Sequence, residues 1–235
     1  MWVFACGMIR SGSTLQYQIA AELVELHGVG QRVEYASEVD FPTLAARYRG
    51  LPGHKVFKAH ICTPELEQLC KEGDAVALYS YRDLRDVAIS ASRKFGITLE
   101  DLLERGWLDQ AIADGERWRA QPRVLVSRYE EVVVNLTSEV ERTAQFLELQ
   151  TTRPQAKRIA LSLSIDQQRE RIREAMPETA RAAPATTLEF DPHSLLHHNH
   201  IHEGEVGGWR ALSQDEQLRL IKRYGSWLTA EGYLK

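Results

Sequence analysis

The chain contains no apolar run long enough to span a bilayer, and its first residues, Met-Trp-Val-Phe, carry neither a basic leader nor a cleavage site. It is therefore expected to be cytoplasmic. Cysteine is scarce: Cys6, Cys62 and Cys70 are the only three, and no two form a C-x-x-C pair. That argues against a disulfide framework or a zinc ribbon and favours reduced thiols. Positive charge is not in excess either, with 29 Lys and Arg against 33 Asp and Glu and a formal net charge of −4. Neither nucleic acid nor an anionic membrane surface is an expected partner, and an anionic ligand has to meet locally concentrated cations. The one glycosylation sequon, Asn135-Leu136-Thr137, is read as chance because nothing directs the chain to a secretory route.

What is present is a core-forming composition, 43% hydrophobic over 235 residues, enough for one domain covering 1–235. Short β-branched or aromatic runs alternate with amphipathic stretches, the signal of an α/β fold with a mostly parallel sheet flanked by helices. Strands are expected over Trp2–Cys6, Val33–Ala36, Lys55–Ile61, Ala75–Tyr81 and Arg123–Val126. Helices are expected over Ser13–His27, Pro64–Lys71, Leu84–Lys94, Leu108–Arg119, Thr137–Leu147, Gln155–Ser162 and Gln167–Ala175. Residues 176–203 hold three prolines and a run of histidines and read as a long loop or lid. Ser213 with Glu216 then forms a capping box, opening a last helix towards Leu228.

The first strand runs into Gly7-Met8-Ile9-Arg10-Ser11-Gly12-Ser13-Thr14. This is nearly the phosphate loop G-x-x-x-x-G-K-[ST], but Ser13 stands in place of the lysine and Arg10 lies inside the turn. A strand, a glycine loop and a helix start direct backbone N–H groups and a helix dipole at one point, which suits a tetrahedral oxyanion. Ser13 and Thr14 add hydroxyls and Arg10 adds a forked cation. A plain Gly/Ser turn would look similar in isolation.

Two further segments carry chemistry. Lys58 and His60 alternate onto one face near the end of a strand, a cation beside a possible general base, although such a pair is common. Arg82 closes a strand, and Ser90, on the following helix, lies close to two turns from Asp83, so arginine and hydroxyl converge on a second anion site. Asp83 as a simple helix cap explains the same residues equally well.

Together these segments resemble the sulfotransferases that use 3′-phosphoadenosine 5′-phosphosulfate. Gly-x-x-Arg-Ser-Gly-Ser-Thr resembles the family's 5′-phosphosulfate loop, and Lys58-Ala59-His60-Ile61 resembles its Lys-Thr-His-Leu motif, whose histidine is the base. Arg82 and Ser90 have the spacing of its 3′-phosphate pair. Arg128-Tyr129-Glu130-Glu131 is similar to a segment whose tyrosine lies near the adenine, and Gly204-Glu205-Val206-Gly207-Gly208-Trp209-Arg210 to the C-terminal Gly-x-x-Gly-x-Trp-Lys. Two positions depart: His202 and Glu203 precede Gly204 where the family often has Arg-Lys, and Leu15 replaces a tryptophan that packs on adenine.

The resemblance implies sulfuryl transfer to a hydroxyl or amine on a small-molecule or carrier-bound acceptor, by in-line displacement without a metal. His60 would be the base, with Lys58 and Arg10 stabilising the transferred group. Arg10, Ser11, Gly12, Ser13, Thr14, Arg82, Ser90, Tyr129 and Gly204 would contact the nucleotide. Glu38, after the second strand, is a rival base. His193, His197, His198, His200 and His202 are spaced too irregularly for a recognised metal site and read as lid. Trp107, Trp118 and Phe95 read as core or pocket wall. Two other functions stay open: a P-loop phosphotransferase with Asp83 as a metal-binding acid, and a nucleotide-binding module without catalysis.

Overall fold

The computed structural model describes residues 1–35, 41–175, 191, 193–196 and 204–234. Glu38, His197, His198, His200, His202 and most of the expected 176–203 loop lie outside them. Five strands form one all-parallel sheet in the order β2-β3-β1-β4-β5. They are β1 (Trp2–Gly7), β2 (Gly30–Tyr35), β3 (His54–Lys58), β4 (Ala75–Tyr81) and β5 (Val124–Arg128). The helices are α1 (Ser13–Leu26), α2 (Phe41–Tyr48), α3 (Pro64–Glu72), α4 (Leu84–Phe95), α5 (Leu99–Glu104), α6 (Trp107–Arg119), α7 (Tyr129–Val134), α8 (Leu136–Phe146), α9 (Arg153–Ser162), α10 (Ile165–Ala175) and a final α11 (Gln214–Ala230). Ser213 and Glu216 cap α11 reciprocally, as their spacing predicts.

The sheet is covered on both sides, so β1 is buried at every residue and reads as a continuous apolar run. Alternation divides it: Phe4 and Phe57 face one core with Phe41 and Trp118, while Val3, Ala5, Val56 and Leu78 face Tyr17, Ala20 and Val24 of α1. Each fully buried large side chain contributes about 2 kcal/mol of hydrophobic stabilisation. Behind α1, residues Ile19 and Leu23 bind Val140, Ala144, Ala156 and Ile159, which anchors α8 and α9.

The order makes β1 the switch point: the chain leaves it towards β2 and β3 on one side, then crosses to β4 and β5 on the other. Ligands of open parallel sheets bind in the crevice at such a point, beyond the carboxyl ends of the strands. Here that crevice lies above β3, β1 and β4.

One strand is shorter than expected. β3 stops at Lys58 instead of running to Ile61, so His60 stands past the strand rather than on it. On this side β1 pairs with β3 only as far as the bond from Ala59 N–H to the Ala5 carbonyl (3.0 Å). The next carbonyl of that edge, Gly7, is met by the His60 ring (2.9 Å) instead of a β3 amide, while β1 continues along β4 with Met8 N–H donating to the Ser80 carbonyl (3.1 Å). The second strand starts three residues earlier than expected, and α2, α5 and α7 were not anticipated.

The close approach of β1 to Ser80 of β4 depends on Gly7. A Cβ there would lie 2.3 Å from Ser80 Oγ and 2.5 Å from the Ser80 carbonyl oxygen. Gly7→Ala is therefore expected to lower stability by about 2–3 kcal/mol in urea denaturation. Gly50→Ala, where an added Cβ meets nothing, should stay within about 0.5 kcal/mol of the parent.

Candidate functional site

The loop between β1 and α1 is tied down by Ser11. Its buried Oγ lies 2.7 Å from the Met8 carbonyl and 2.9 Å from the Ser80 carbonyl, and its N–H is bound to Met8. Ser11 thus holds the loop against β4 and does not line the cavity, unlike its neighbours Arg10, Gly12, Ser13 and Thr14. Gly12 takes a left-handed conformation (φ 90°) at the start of α1, and no side chain caps that helix. The first N–H groups of α1 consequently face the cavity without an intrahelical acceptor. A Cβ on Gly12 would come 2.9 Å from Tyr129 Cδ2, so the ring closes over the loop as tightly as glycine permits.

Arg10 is also left-handed (φ 63°), a conformation that costs a residue with a side chain about 1 kcal/mol. It directs the guanidinium across the crevice, where Nε–H donates to Ser90 Oγ on α4 (3.0 Å). Burial and the nearby Arg82 lower its pKa to about 10, which leaves it charged at neutrality.

Arg82, one residue past β4, is 7% exposed. One Nη donates to the Arg10 carbonyl (3.4 Å), the other to the Glu205 carbonyl, and the guanidinium lies 4.4 Å from the centre of the Tyr129 ring. Asp86, one turn into α4, is its counter-charge at 3.5 Å. Among the described residues the buried Nε of Arg82 has no hydrogen-bond partner.

Asp86 also accepts from the N–H groups of Gly207 (2.8 Å) and Trp209 (2.9 Å), and the Tyr129 hydroxyl donates to the Gly204 carbonyl (3.1 Å). The segment from Gly204 to Trp209 is in this way strapped across the start of α4. Arg85 stacks on Trp209 (3.8 Å), pairs with Asp83 (2.7 Å) and donates to the Tyr233 carbonyl (3.1 Å). Asp83 accepts from Arg85 N–H as the cap of α4, so its carboxylate is committed to structure and not held open for a metal.

On the other side of the loop, Lys58 is buried under the Tyr35 ring, 5.3 Å away, and burial together with Arg10 brings its pKa down to about 8. His60 Nδ1 lies 2.9 Å from the Gly7 carbonyl. A carbonyl can only accept, so Nδ1 carries the proton and the Nε2 lone pair is left for another group. Burial first, then Lys58, depress the imidazole to about 3, with Arg10 adding to the effect. Trp118 Nε1–H holds the His60 carbonyl (2.9 Å), fixing the backbone beneath the ring.

These groups converge on one cleft of about 1070 Å³ lined by Arg10, Gly12, Ser13, Thr14, Lys58, His60, Arg82, Ser90, Tyr129 and Gly204. Trp118 is core and Phe95 is cavity wall, while Trp107 packs edge-on against Phe95. Lys94, Asp86, Tyr35 and Ile165 also line the cleft and were not singled out from sequence. Asp86 and Lys94 carried a usable signal, each lying one helical turn from a residue that was, Arg82 and Ser90.

The profile of the sulfotransferase domain family matches residues 3–226. The chain belongs to the sulfotransferase family. Its fold agrees with that of a mouse sulfotransferase, SULT7A1, crystallised with 3′-phosphoadenosine 5′-phosphate (PAP), at a TM-score of 0.71 and 14% identity over 97% of this chain and 83% of that one. Retinol dehydratase with androsterone and PAP aligns at 0.67 and 16% identity, over 97% and 80%. The same enzyme with retinol and PAP aligns at 0.61 and 15%, over 97% and 81%. Curated protein sequences give no significant match. The expected fold class and family are both met. Among the described residues no group of three or more His, Cys, Asp or Glu is placed to hold a metal ion, and no helix is long and apolar enough to cross a membrane.

Asp86→Ala should release the strap at Gly207 and Trp209. Two amides lose their acceptor and a buried guanidinium loses its counter-charge, so stability is expected to fall by about 3 kcal/mol. Amide exchange at residues 204–210 should rise more than elsewhere. Unaltered exchange there would show that Asp86 does not hold the segment.

Proposed function

We propose that this sulfotransferase moves a sulfuryl group from 3′-phosphoadenosine 5′-phosphosulfate to a hydroxyl or amine of a small acceptor, with His60 as the general base. The observation that carries the assignment is the bond from His60 Nδ1 to the Gly7 carbonyl, which leaves Nε2 unprotonated beside the phosphate loop. The cleft suits the nucleotide on grounds independent of the relatives. The N–H groups at the start of α1 with Ser13 and Thr14 fit the 5′-phosphate, and the Nε of Arg82, which has no partner among the described residues, fits the 3′-phosphate together with Ser90 Oγ. Tyr129, between loop and strap, provides a wall for the base.

His60 Nε2 takes the acceptor's proton as the acceptor oxygen or nitrogen bonds to sulfur. The bond from sulfur to the bridging oxygen breaks, and its electron pair stays on the 5′-phosphate. Arg10 and Lys58 stabilise the charge that develops on the bridging and sulfuryl oxygens. The pKa of His60, depressed by burial first and then by Lys58 and Arg10, keeps it unprotonated before binding; negative charge laid against the two cations offsets their share of the effect and raises its basicity when the acceptor arrives. Asp83 does not favour the phosphotransferase reading, since Arg85 and the α4 cap occupy it.

Calorimetry with PAP and, separately, with Mg²⁺-ATP tests the donor. PAP should bind and ATP should not compete; tight ATP binding alone would overturn the assignment. Because Lys58 starts near 8, bound anion should raise it, and at pH 8 PAP binding should take up on the order of half a proton, read from buffers of differing ionisation enthalpy. Proton release instead would contradict the role given to Lys58. His60→Ala should lower turnover by about 10²–10⁴-fold while leaving PAP affinity nearly intact. Undiminished turnover would move the base elsewhere, with Glu38 tested next.

A further inference from the structure

Tyr129 links the phosphate loop to the strap, closing on Gly12 and bonding the Gly204 carbonyl (3.1 Å). Ile165, the first residue of α10, meets the strap at the same glycine: a Cβ on Gly204 would lie 2.3 Å from Ile165 Cδ1 and 3.4 Å from the Tyr129 hydroxyl. The wall beside it is apolar. Leu15 and Leu136 pack against the cluster that holds Ala160 and Leu163, and all four line the cleft. Into this wall the chain sets Gln168, one turn along α10 and only 5% exposed. Its Nε2 donates to the Leu163 carbonyl (2.8 Å). A carbonyl can only accept, so the orientation of the amide is settled and Oε1 lies on its other side. That oxygen has no hydrogen-bond partner among the described residues. Unlike the Oε1 atoms of Gln16 and Gln18, which are sealed in the interior, it is open to the cleft.

We propose that Gln168 reads the base of the donor nucleotide: its Oε1 accepts a hydrogen bond from the exocyclic amine of adenine, so that an amino purine is bound and a 6-oxo purine is rejected. This inference rests on the sulfuryl-transfer reading of the same cleft, in which the phosphate loop and Arg82 hold the phosphates and Tyr129 flanks the base. The side chains of Leu15, Leu136 and Ile165 suit the apolar faces of a purine, and Gln168 supplies a directional contact for its edge. Selectivity follows from the fixed amide. Against a 6-oxo purine two carbonyl oxygens would face each other, and turning the amide to present Nε2 would set Oε1 against the Leu163 carbonyl instead. Either way a buried acceptor is left without a donor. The N1–H of such a base lies at the next position of the ring edge, and bringing it to Oε1 would shift a base whose phosphates are held. Ser164, also in the wall, has a hydroxyl that can donate or accept and so makes no such distinction.

The test compares, by calorimetry, the affinity for PAP with that for the 3′,5′-bisphosphates of purine riboside, which has hydrogen in place of the amine, and of inosine, which has the 6-oxo group. The parent should bind PAP about tenfold more tightly than the purine riboside ligand, and the inosine ligand more weakly still. Gln168→Met keeps the length of the side chain and removes the oxygen. It should bring the three ligands within about threefold of one another. A purely structural role would weaken all three alike and leave their ratios unchanged, and that result would overturn the proposal. In crystals of the parent with PAP, Gln168 Oε1 should stand within about 3.2 Å of the exocyclic nitrogen. Any other partner for that nitrogen would overturn the proposal whether or not the variant folds. If the parent binds none of the three, the sulfuryl-transfer reading fails and this inference falls with it. If it binds all three equally well, that reading stands and the role of Gln168 alone is refuted.

Discussion

Arg82 is the point on which the site depends. Its guanidinium reaches the Arg10 carbonyl in the N-terminal loop and the Glu205 carbonyl in the C-terminal strap, lies on Tyr129 and is balanced by Asp86. A buried cation of this kind is tolerated only if nearly every polar group around it is satisfied. That demand fixes the strap against α4, since the carboxylate that balances Arg82 is the one that binds the Gly207 and Trp209 amides. Loop, strand end, helix and strap are therefore one electrostatic unit. The described part of the strap is held largely through its backbone, at Gly204, Glu205, Gly207 and Trp209.

The second theme is like charge held together. Arg10 lowers Lys58, and both lower Lys94 and His60, because burial strips the water that would screen them. Folding pays for this arrangement, and hydrophobic burial around β1 is large enough to sustain it. Each shift is also a reserve of affinity, since an anion that restores the charged forms regains what burial removed.

Much of the site was legible in the sequence because its parts are local. A strand, a glycine loop and a helix start announce themselves through neighbouring residues, and Arg82 to Ser90 is a spacing along one helix. What was hidden depends on the chain's return to itself. The end of β3 cannot be read from its own residues, because it is decided by what meets the Gly7 carbonyl of β1, the His60 ring and not a β3 amide. Nothing in Ser11-Gly12-Ser13 reveals that the first hydroxyl faces β4 and the second the cleft. The Val132-Val133-Val134 run of α7 opposes helix propensity, and packing prevails. Asp86 and Lys94 resembled solvated helix charges until the strap and the opposite wall were in place.

The bond from Arg85 to the Tyr233 carbonyl joins residues 148 positions apart, and the strap contact of Arg82 spans 123. The β1-α1 unit can form from contacts between neighbours in the chain, whereas the cleft above it closes only when Arg82 and Asp86 meet the strap across 121 to 123 residues. The site is therefore a part of the molecule with high contact order, and its assembly should lag behind that of the strand and helix on which it stands.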